Sequence, residues 1–307
     1  MRRPDVVHVR APGKINVCLG VGSRHDDGYH SLATVFQAVS LYEDVYASTA
    51  DGFTLEVDGE VDVSEVPLDD RNLAMRAAKL LAQTAGVDAG VHLRIRKGVP
   101  VAGGMGGGSA DAAAALVACD ALWGTELGPH RLHELAARLG ADVPFALHGG
   151  TAVGAGRGDE LTPALARGRF DWVLVLSEQG LSTPEVYGRL DLMRTQEGAV
   201  ADDPPMSLDV PLPVLQALRA GDARDLAPAL LNDLEAAAIV DRRDLAATLV
   251  DGIRFGALGG LVSGSGPTIA LLCDGAEQAL IVQDLLRESG RRALHVHGPV
   301  PGARVVS

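Results

Sequence analysis

Hydrophobic and polar positions change period several times along the chain. Residues 5–21 alternate, with Val7 and Val9, then Ile15, Val17 and Leu19, in the period-two pattern of strands. Residues 32–36, 41–47 and 53–57 read as further strands, and residues 58–70 as an acidic loop without evident chemistry. Leu73, Ala77, Leu80 and Leu81 share one face at helical spacing, and Gly86 is the stop. After a strand at 91–97, Ala112, Leu116 and Leu122 predict a helix lying on a sheet, and another helix runs from Pro129 to Leu139. Residues 149–154 form a glycine-edged strand. The loop-rich stretch 155–169 is the expected domain boundary, giving units 1–160 and 161–307. In the second unit a buried strand at 172–176 precedes a capped helix at Ser182-Thr183-Pro184. A polar, proline-rich segment at 195–211 is expected to be mobile. Helices at 212–219, 226–235 and 242–255, a strand at 267–273, a helix at 277–288 and a strand at 293–297 complete the chain. The fold class is α+β.

The stretch around which the rest is arranged is GVPVAGGMGGGSADAA, residues 98–113. Gly103, Gly104, Gly106, Gly107 and Gly108 fill five of six positions, with a strand before them and a helix after. Glycine allows positive φ and close approach of a ligand to the main chain. The first turn of a helix offers unpaired N–H groups at the positive end of its dipole. Together these make an anion site, and a nucleotide phosphate is the expected anion. It is not a Walker A loop, because Ser109-Ala110 stands where Lys-Ser/Thr is required. The glycines are too dense for a dinucleotide fingerprint, and the protein-kinase motifs are missing.

Composition narrows the partners. A chain of 307 residues, 47% hydrophobic, suffices for two cored domains. A formal charge of −13 leaves no broad basic face, so nucleic acid is not an expected partner. No apolar run reaches membrane-spanning length, and the opening residues lack the apolar core of a signal peptide. Cys18, Cys119 and Cys273 are far apart and read as buried thiols of a cytoplasmic protein. The alanine-rich faces fit a monomer or a homodimer equally. His130 and His133 lie one helical turn apart with no third metal ligand in reach.

Three other places carry candidate chemistry. Lys14, within Ala11-Pro12-Gly13-Lys14-Ile15-Asn16, is either a surface lysine at a strand turn or, among buried strand residues, costly unless it is paired or meets a ligand. Asp26-Asp27-Gly28-Tyr29-His30 is a polar loop whose exposed Tyr-His pair suits a flat heterocycle, or is an ordinary turn. Asp142, in Gly140-Ala141-Asp142-Val143-Pro144-Phe145, either caps a short helix or is a positioned base.

The order of APGKINVCLGV at 11–21, PVAGGMGGGSADAA at 100–113 and GLVSGSGPTIALL at 260–272 resembles the GHMP kinase superfamily of small-molecule kinases over essentially the whole chain. The resemblance implies a two-domain fold: an N-terminal domain like ribosomal protein S5 domain 2, a ferredoxin-like C-terminal domain, and a cleft between them. It implies ATP as phosphoryl donor with Mg²⁺. The ATP-binding residues would be Pro100, Val101, Ala102, Gly103, Gly104, Met105, Gly106, Gly107, Gly108, Ser109 and Ala110, with Ser109 also the candidate metal contact. Lys14 and Asp142 match the catalytic pair, and Asn16 and Thr183 would line the phosphoryl path. Tyr29, His30 and Tyr187 match cytosine-holding positions in the branch whose acceptor is a cytidine diphosphate alcohol. Homoserine kinase, or a silent nucleotide-binding member, is the alternative. Ala110 stands where many relatives carry a second serine, which removes one hydroxyl, and Met105 where leucine is common.

Overall fold

The computed structural model describes residues 5–177, 179–196, 208–240 and 242–306. The chain opens with β1 (Val6–Arg24), β2 (His30–Ala50) and β3 (Phe53–Gly59), then α1 (Leu73–Ala85), β4 (Gly90–Lys97) and α2 (Gly107–Trp123). α3 (Gly128–Leu139), α4 (Val143–His148), β5 (Thr151–Ala155) and β6 (Glu160–Pro163) follow. The second half runs β7 (Phe170–Leu176), α5 (Thr183–Gln196), α6 (Leu212–Ala220), α7 (Ala223–Leu226), β8 (Leu231–Asn232), α8 (Glu235–Ile239) and α9 (Arg243–Arg254). It closes with β9 (Gly259–Val262), β10 (Ile269–Cys273), α10 (Gly275–Glu288), β11 (Arg292–Gly298) and β12 (Arg304–Val305).

The alternating stretch at the start forms one long strand instead of two. β1 passes through Pro12 without ending because register shifts at Pro12/Gly13, Asn16/Cys18 and Val21/Arg24 absorb the irregular residues. β1 and β2 centre a sheet ordered β12-β1-β2-β4-β3, with β5 and β6 continuing from β2 and β8 pairing with β1. β8 and β12 come from the second half of the chain, so both halves build this sheet.

The other sheet is antiparallel in the order β11-β7-β10-β9. Counted along the chain, that is fourth, first, third, second strand, the βαββαβ arrangement expected from the resemblance. The fold is α+β, built on two sheets, as expected. Residues from both sheets share one core, in which Ile15 and Val35 meet Trp172 and Leu218. α2 lies deepest: Ala110, Ala112, Ala113, Ala114, Ala115 and Ala118 are fully buried, and small side chains let sheet and helices approach from every side.

One predicted helix is absent. Residues 226–235 turn out of α7, pass Pro228, which lacks an N–H, and form β8, pairing in parallel with Cys18 and Leu19. The Asn232 amide donates to Val262 O (2.7 Å) and Gly264 O (2.8 Å), fastening β8 to the second glycine-rich stretch. Most of the segment at 195–211, expected to be mobile, lies outside the described residues. The three cysteines are buried, as expected, and burial pushes the Cys18 thiol up to about 11 and that of Cys273 to about 12.

Candidate active site

The glycine loop leaves β4 and enters α2 through left-handed backbone at Gly104 (φ 76°) and Gly106 (φ 70°). A Cβ at Gly104 would lie 2.2 Å from Ser263 O, so only glycine lets this loop meet the second glycine-rich stretch. Val99 and Met105 anchor the loop, both packed into the core shared by both sheets. The Met105 carbonyl accepts from the Lys14 amide at 3.0 Å, tying the loop to β1. Gly106 is the cap residue of α2 and supplies no side-chain acceptor to the first-turn N–H groups. The donors of that turn are left for an external anion.

Lys14 stands across from this helix start. Its Nζ donates to Asn16 Oδ1 (2.7 Å) and Gly104 O (3.0 Å) and lies 3.9 Å from Asp142 Oδ2. Thr34 fixes Asn16: the Thr34 hydroxyl donates to Cys18 O, so it accepts from Asn16 Nδ2 at 2.8 Å. That leaves Asn16 Oδ1 turned to the lysine. Burial lowers the Lys14 pKa, and the Asp142 charge partly offsets the shift. Asp142 does not cap α4, for its side chain makes no capping bond. Of the two readings of Asp142, the cap is thereby removed. The carboxylate remains partly exposed beside the lysine.

Both residues line a cleft of about 580 Å³ that also takes in Pro100, Val101, Ala102, Gly103, Gly104, Gly106, Gly107 and Gly108. Ser109 and Ala110 fall in the first turn of α2 and are not among the lining residues, and Ala110 is fully buried. At one end the cleft reaches Val66, Pro67 and Leu73. The acidic loop before α1, read as without chemistry, therefore supplies part of the wall, with Glu65 beside Val66 and Pro67. At the other end it reaches Thr183 and Tyr187. Thr183 Oγ1 bonds Ser265 Oγ at 2.8 Å, which joins α5 to the second glycine-rich stretch.

A second cavity of about 440 Å³ adjoins the first, with Leu32, Arg157, Thr183 and Tyr187 lining both. Tyr29 and His30 sit here, but not as an exposed pair. Tyr29 is 57% exposed, with the Arg157 guanidinium 4.1 Å above its ring. His30 is buried, its ring 5.0 Å from that of Tyr187 and its Nε2 2.8 Å from Asp191 Oδ1. Burial, with the Asp142 charge adding to it, pushes the Tyr187 hydroxyl up to about 12 and keeps it protonated.

Sequence reasoning missed Arg157, Ser265 and Asp191. The last had a legible signal: Thr183, Tyr187 and Asp191 recur every fourth residue, one face of a helix. Beneath the loop it also missed a buried lysine, Lys97, which pairs with Glu43 and Asp111 at 2.6 Å each.

A glycine-rich helix start with open N–H donors, a buried lysine beside a partly exposed carboxylate, and an adjoining ring-lined cavity suit a small-molecule phosphotransferase. Comparison with known proteins agrees. The description "GHMP kinases N terminal domain" matches residues 72–150, and "GHMP kinases C terminal" matches residues 214–292. The chain belongs to the GHMP kinase family. Within it, the chain is 54% identical to a 4-diphosphocytidyl-2-C-methyl-D-erythritol kinase of Clavibacter michiganensis, over 99% of this chain and 97% of that one. It is 57% identical to the protein of that name from Leifsonia xyli, over 99% of both. A crystal structure of 4-(cytidine 5'-diphospho)-2C-methyl-D-erythritol kinase matches with TM-score 0.77 and 33% identity, over 94% of this chain and 98% of that one. A homoserine kinase from Cytophaga hutchinsonii, TM-score 0.75 at 18% identity over 100% and 99%, shares the fold. No helix among the described residues is long and apolar enough to cross a membrane.

Proposed function

We propose that the protein transfers the γ-phosphoryl group of ATP to the 2-hydroxyl of 4-diphosphocytidyl-2-C-methyl-D-erythritol, giving the 2-phosphate and ADP in the non-mevalonate route to isoprenoid precursors. The observation that carries this reading is the continuity of the two cavities: the Lys14–Asp142 pair opens on one side to the glycine loop and on the other to Tyr29, His30 and Tyr187. The ATP phosphates lie along the glycine loop where it lines the cleft, residues 100–108, and the end at Val66, Pro67 and Leu73 takes the adenine. Cytosine enters the second cavity, between the tyrosines. Arg157, lining both cavities, meets the diphosphate that joins nucleoside to alcohol. The reaction lies in the cleft between units 1–160 and 161–307.

A tertiary alcohol is a poor nucleophile until its proton leaves. Asp142 accepts that proton as the oxygen–phosphorus bond forms, a contribution of about 10²- to 10⁴-fold. Lys14, oriented by Asn16 and Gly104 O, neutralises charge building on the transferred phosphoryl group. Thr183 borders the path. Among the described residues no three His, Cys, Asp or Glu side chains are grouped to hold a metal ion unaided. The donor set fits Mg²⁺ arriving with the nucleotide, since that ion needs only one or two protein oxygens beside phosphate and water. The Ser109 hydroxyl, in the first turn of α2, is the protein oxygen we assign to it. When bound it neutralises phosphate charge. The buried thiols and the ATP requirement fit a cytoplasmic enzyme, monomeric or homodimeric, without nucleic-acid partners.

The test is ADP release with ATP, Mg²⁺ and the diphosphocytidyl substrate, with homoserine and mevalonate as rival acceptors. Turnover confined to the cytidylyl substrate is expected. Turnover on homoserine, or ATP binding with no turnover on any acceptor, overturns the proposal.

A further inference from the structure

Asp191 sits one helical turn beyond Tyr187 on α5, on the face that also presents Thr183. It reaches across 161 residues of sequence to the His30 ring, with Oδ1 at 2.8 Å from Nε2. An ionised carboxylate only accepts hydrogen bonds. The proton at this contact therefore resides on Nε2. In a neutral imidazole the other nitrogen, Nδ1, then carries a lone pair and no hydrogen.

Nδ1 makes no hydrogen bond among the described residues, although only 4% of the side chain is exposed. His30 lines the second cavity beside Tyr29 and Tyr187. A base held between those tyrosines is the available partner for Nδ1. Cytosine and uracil have nearly the same shape but differ at one exocyclic group, an amino donor in cytosine and a carbonyl acceptor in uracil. A ring nitrogen locked as an acceptor bonds the first and opposes the second.

We infer that Asp191 is a positioning residue that fixes the His30 tautomer, and that this contact makes the cavity select an amino-bearing pyrimidine over a carbonyl-bearing one. The inference rests on the cytidylyl reading of the cavity given above. Asp191 touches no reacting atom. Its effect passes through His30 to the choice of base, and so to KM rather than kcat. A hydroxyl or amide in place of the carboxylate would not do the same, because each can also donate and so permits the opposite tautomer. A site built around such a bond rejects an analogue lacking it more strongly than shape alone allows.

The test compares the cytidylyl substrate with its uridylyl analogue in wild type, Asp191→Asn and Asp191→Ala. The tautomer is read separately from the ¹⁵N shifts of His30 in the wild-type protein, assigned with His30→Gln. Expected are a protonated Nε2 and bare Nδ1 in wild type, strong preference for the cytidylyl substrate, and a fall in that preference of about tenfold or more in both variants, carried by KM. Asp191→Asn, close in size, is the informative variant where Asp191→Ala fails to fold. A proton on Nδ1 in wild type, or preference retained in variants that bind ATP normally, overturns the inference. Absence of wild-type turnover on the cytidylyl substrate would instead overturn the proposed function.

Discussion

Two lysines lie buried in the wall of the same cleft, and they are held in opposite ways. Lys97 has two carboxylates, Glu43 and Asp111, each 2.6 Å from its Nζ, and their field raises its pKa despite burial. Lys14 has neutral acceptors, Asn16 Oδ1 and Gly104 O, and a single carboxylate 3.9 Å away, and burial lowers its pKa. A lysine whose charge is already neutralised supports a fold. One that is desolvated and only partly compensated has field to spend on an incoming anion. The glycine loop passes between the two. A Cβ at Gly106 would meet Lys14 Cγ at 3.4 Å, and one at Gly107 would meet Glu43 Oε1 at 2.9 Å. The same short turn is therefore bounded by the proposed chemistry on one side and by a structural ion cluster on the other.

The largest expected break is at Asp142. Asp142→Asn keeps size and leaves α4 intact, since the side chain caps nothing. We expect kcat to fall by about 10²- to 10⁴-fold with substrate binding and melting temperature nearly unchanged. Steady-state kinetics beside a thermal melt check this; a loss confined to KM would deny the residue its role as base. Lys14→Met should lower kcat by about 10²- to 10³-fold while leaving stability level or higher, because a poorly compensated buried cation is removed.

The Lys97 side of the comparison predicts the reverse. Lys97→Met strands the Asp111 carboxylate, with the Glu43 carboxyl beside it, without their cation, and breaking such a buried pair costs about 3–5 kcal/mol. The midpoint of denaturant unfolding should drop accordingly, while kcat of the protein that remains folded stays close to wild type. A kcat collapse without loss of stability would reverse the assignment of the two lysines.

This contrast shows where the sequence was legible. The glycine cluster between a strand and a helix is a local feature, so the loop was readable as an anion site from order alone, whereas Lys14 read as readily as a surface lysine until its burial removed that reading. Lys97 interrupts a strand pattern, yet its partners are side chains of β2 and α2, and nothing local marks the pairing. Asp142 offered cap and base equally, and its missing capping bond removes the first. The helix predicted at 226–235 failed because β8 is held by β1 and by the Asn232 bonds, tertiary contacts that override helical spacing. The period-two pattern found strands but not their length, since bulges carry β1 through residues that ordinarily end one. Asp191 lay on a readable stripe of α5 and was passed over because its partner is 161 residues away.

A smaller effect tests the junction of the two cavities. Arg157→Ala removes the cation above Tyr29 and its ion pair with Asp27. Both contacts are exposed and contribute little to stability. KM for the cytidylyl substrate should rise about tenfold, as expected for losing one charge-assisted contact to a diphosphate, with KM for ATP and kcat nearly unchanged. A matching rise in the ATP KM would place Arg157 on the nucleotide instead.

The finest prediction concerns which carboxylate beside Lys97 holds a proton. Burial and the Asp111 charge raise the Glu43 pKa from its usual 4.5 to about 8, Lys97 notwithstanding. Below the unfolded value both states are protonated, and the folded form bears no penalty. Between that value and about 8 the folded protein holds a proton that the unfolded chain has released, so stability falls as pH rises. Glu43→Gln fixes the neutral form and keeps an acceptor for the Gly98 amide, which donates to Glu43 Oε2 at 2.9 Å. At pH 7 the variant should be within about 1 kcal/mol of wild type, the scale of a retained hydrogen bond. Between pH 5 and about 8 its denaturation midpoint should decline less than that of wild type. A variant that loses stability in parallel with wild type across that window would show the proton residing elsewhere, and Asp111→Asn is then the substitution expected to flatten the profile.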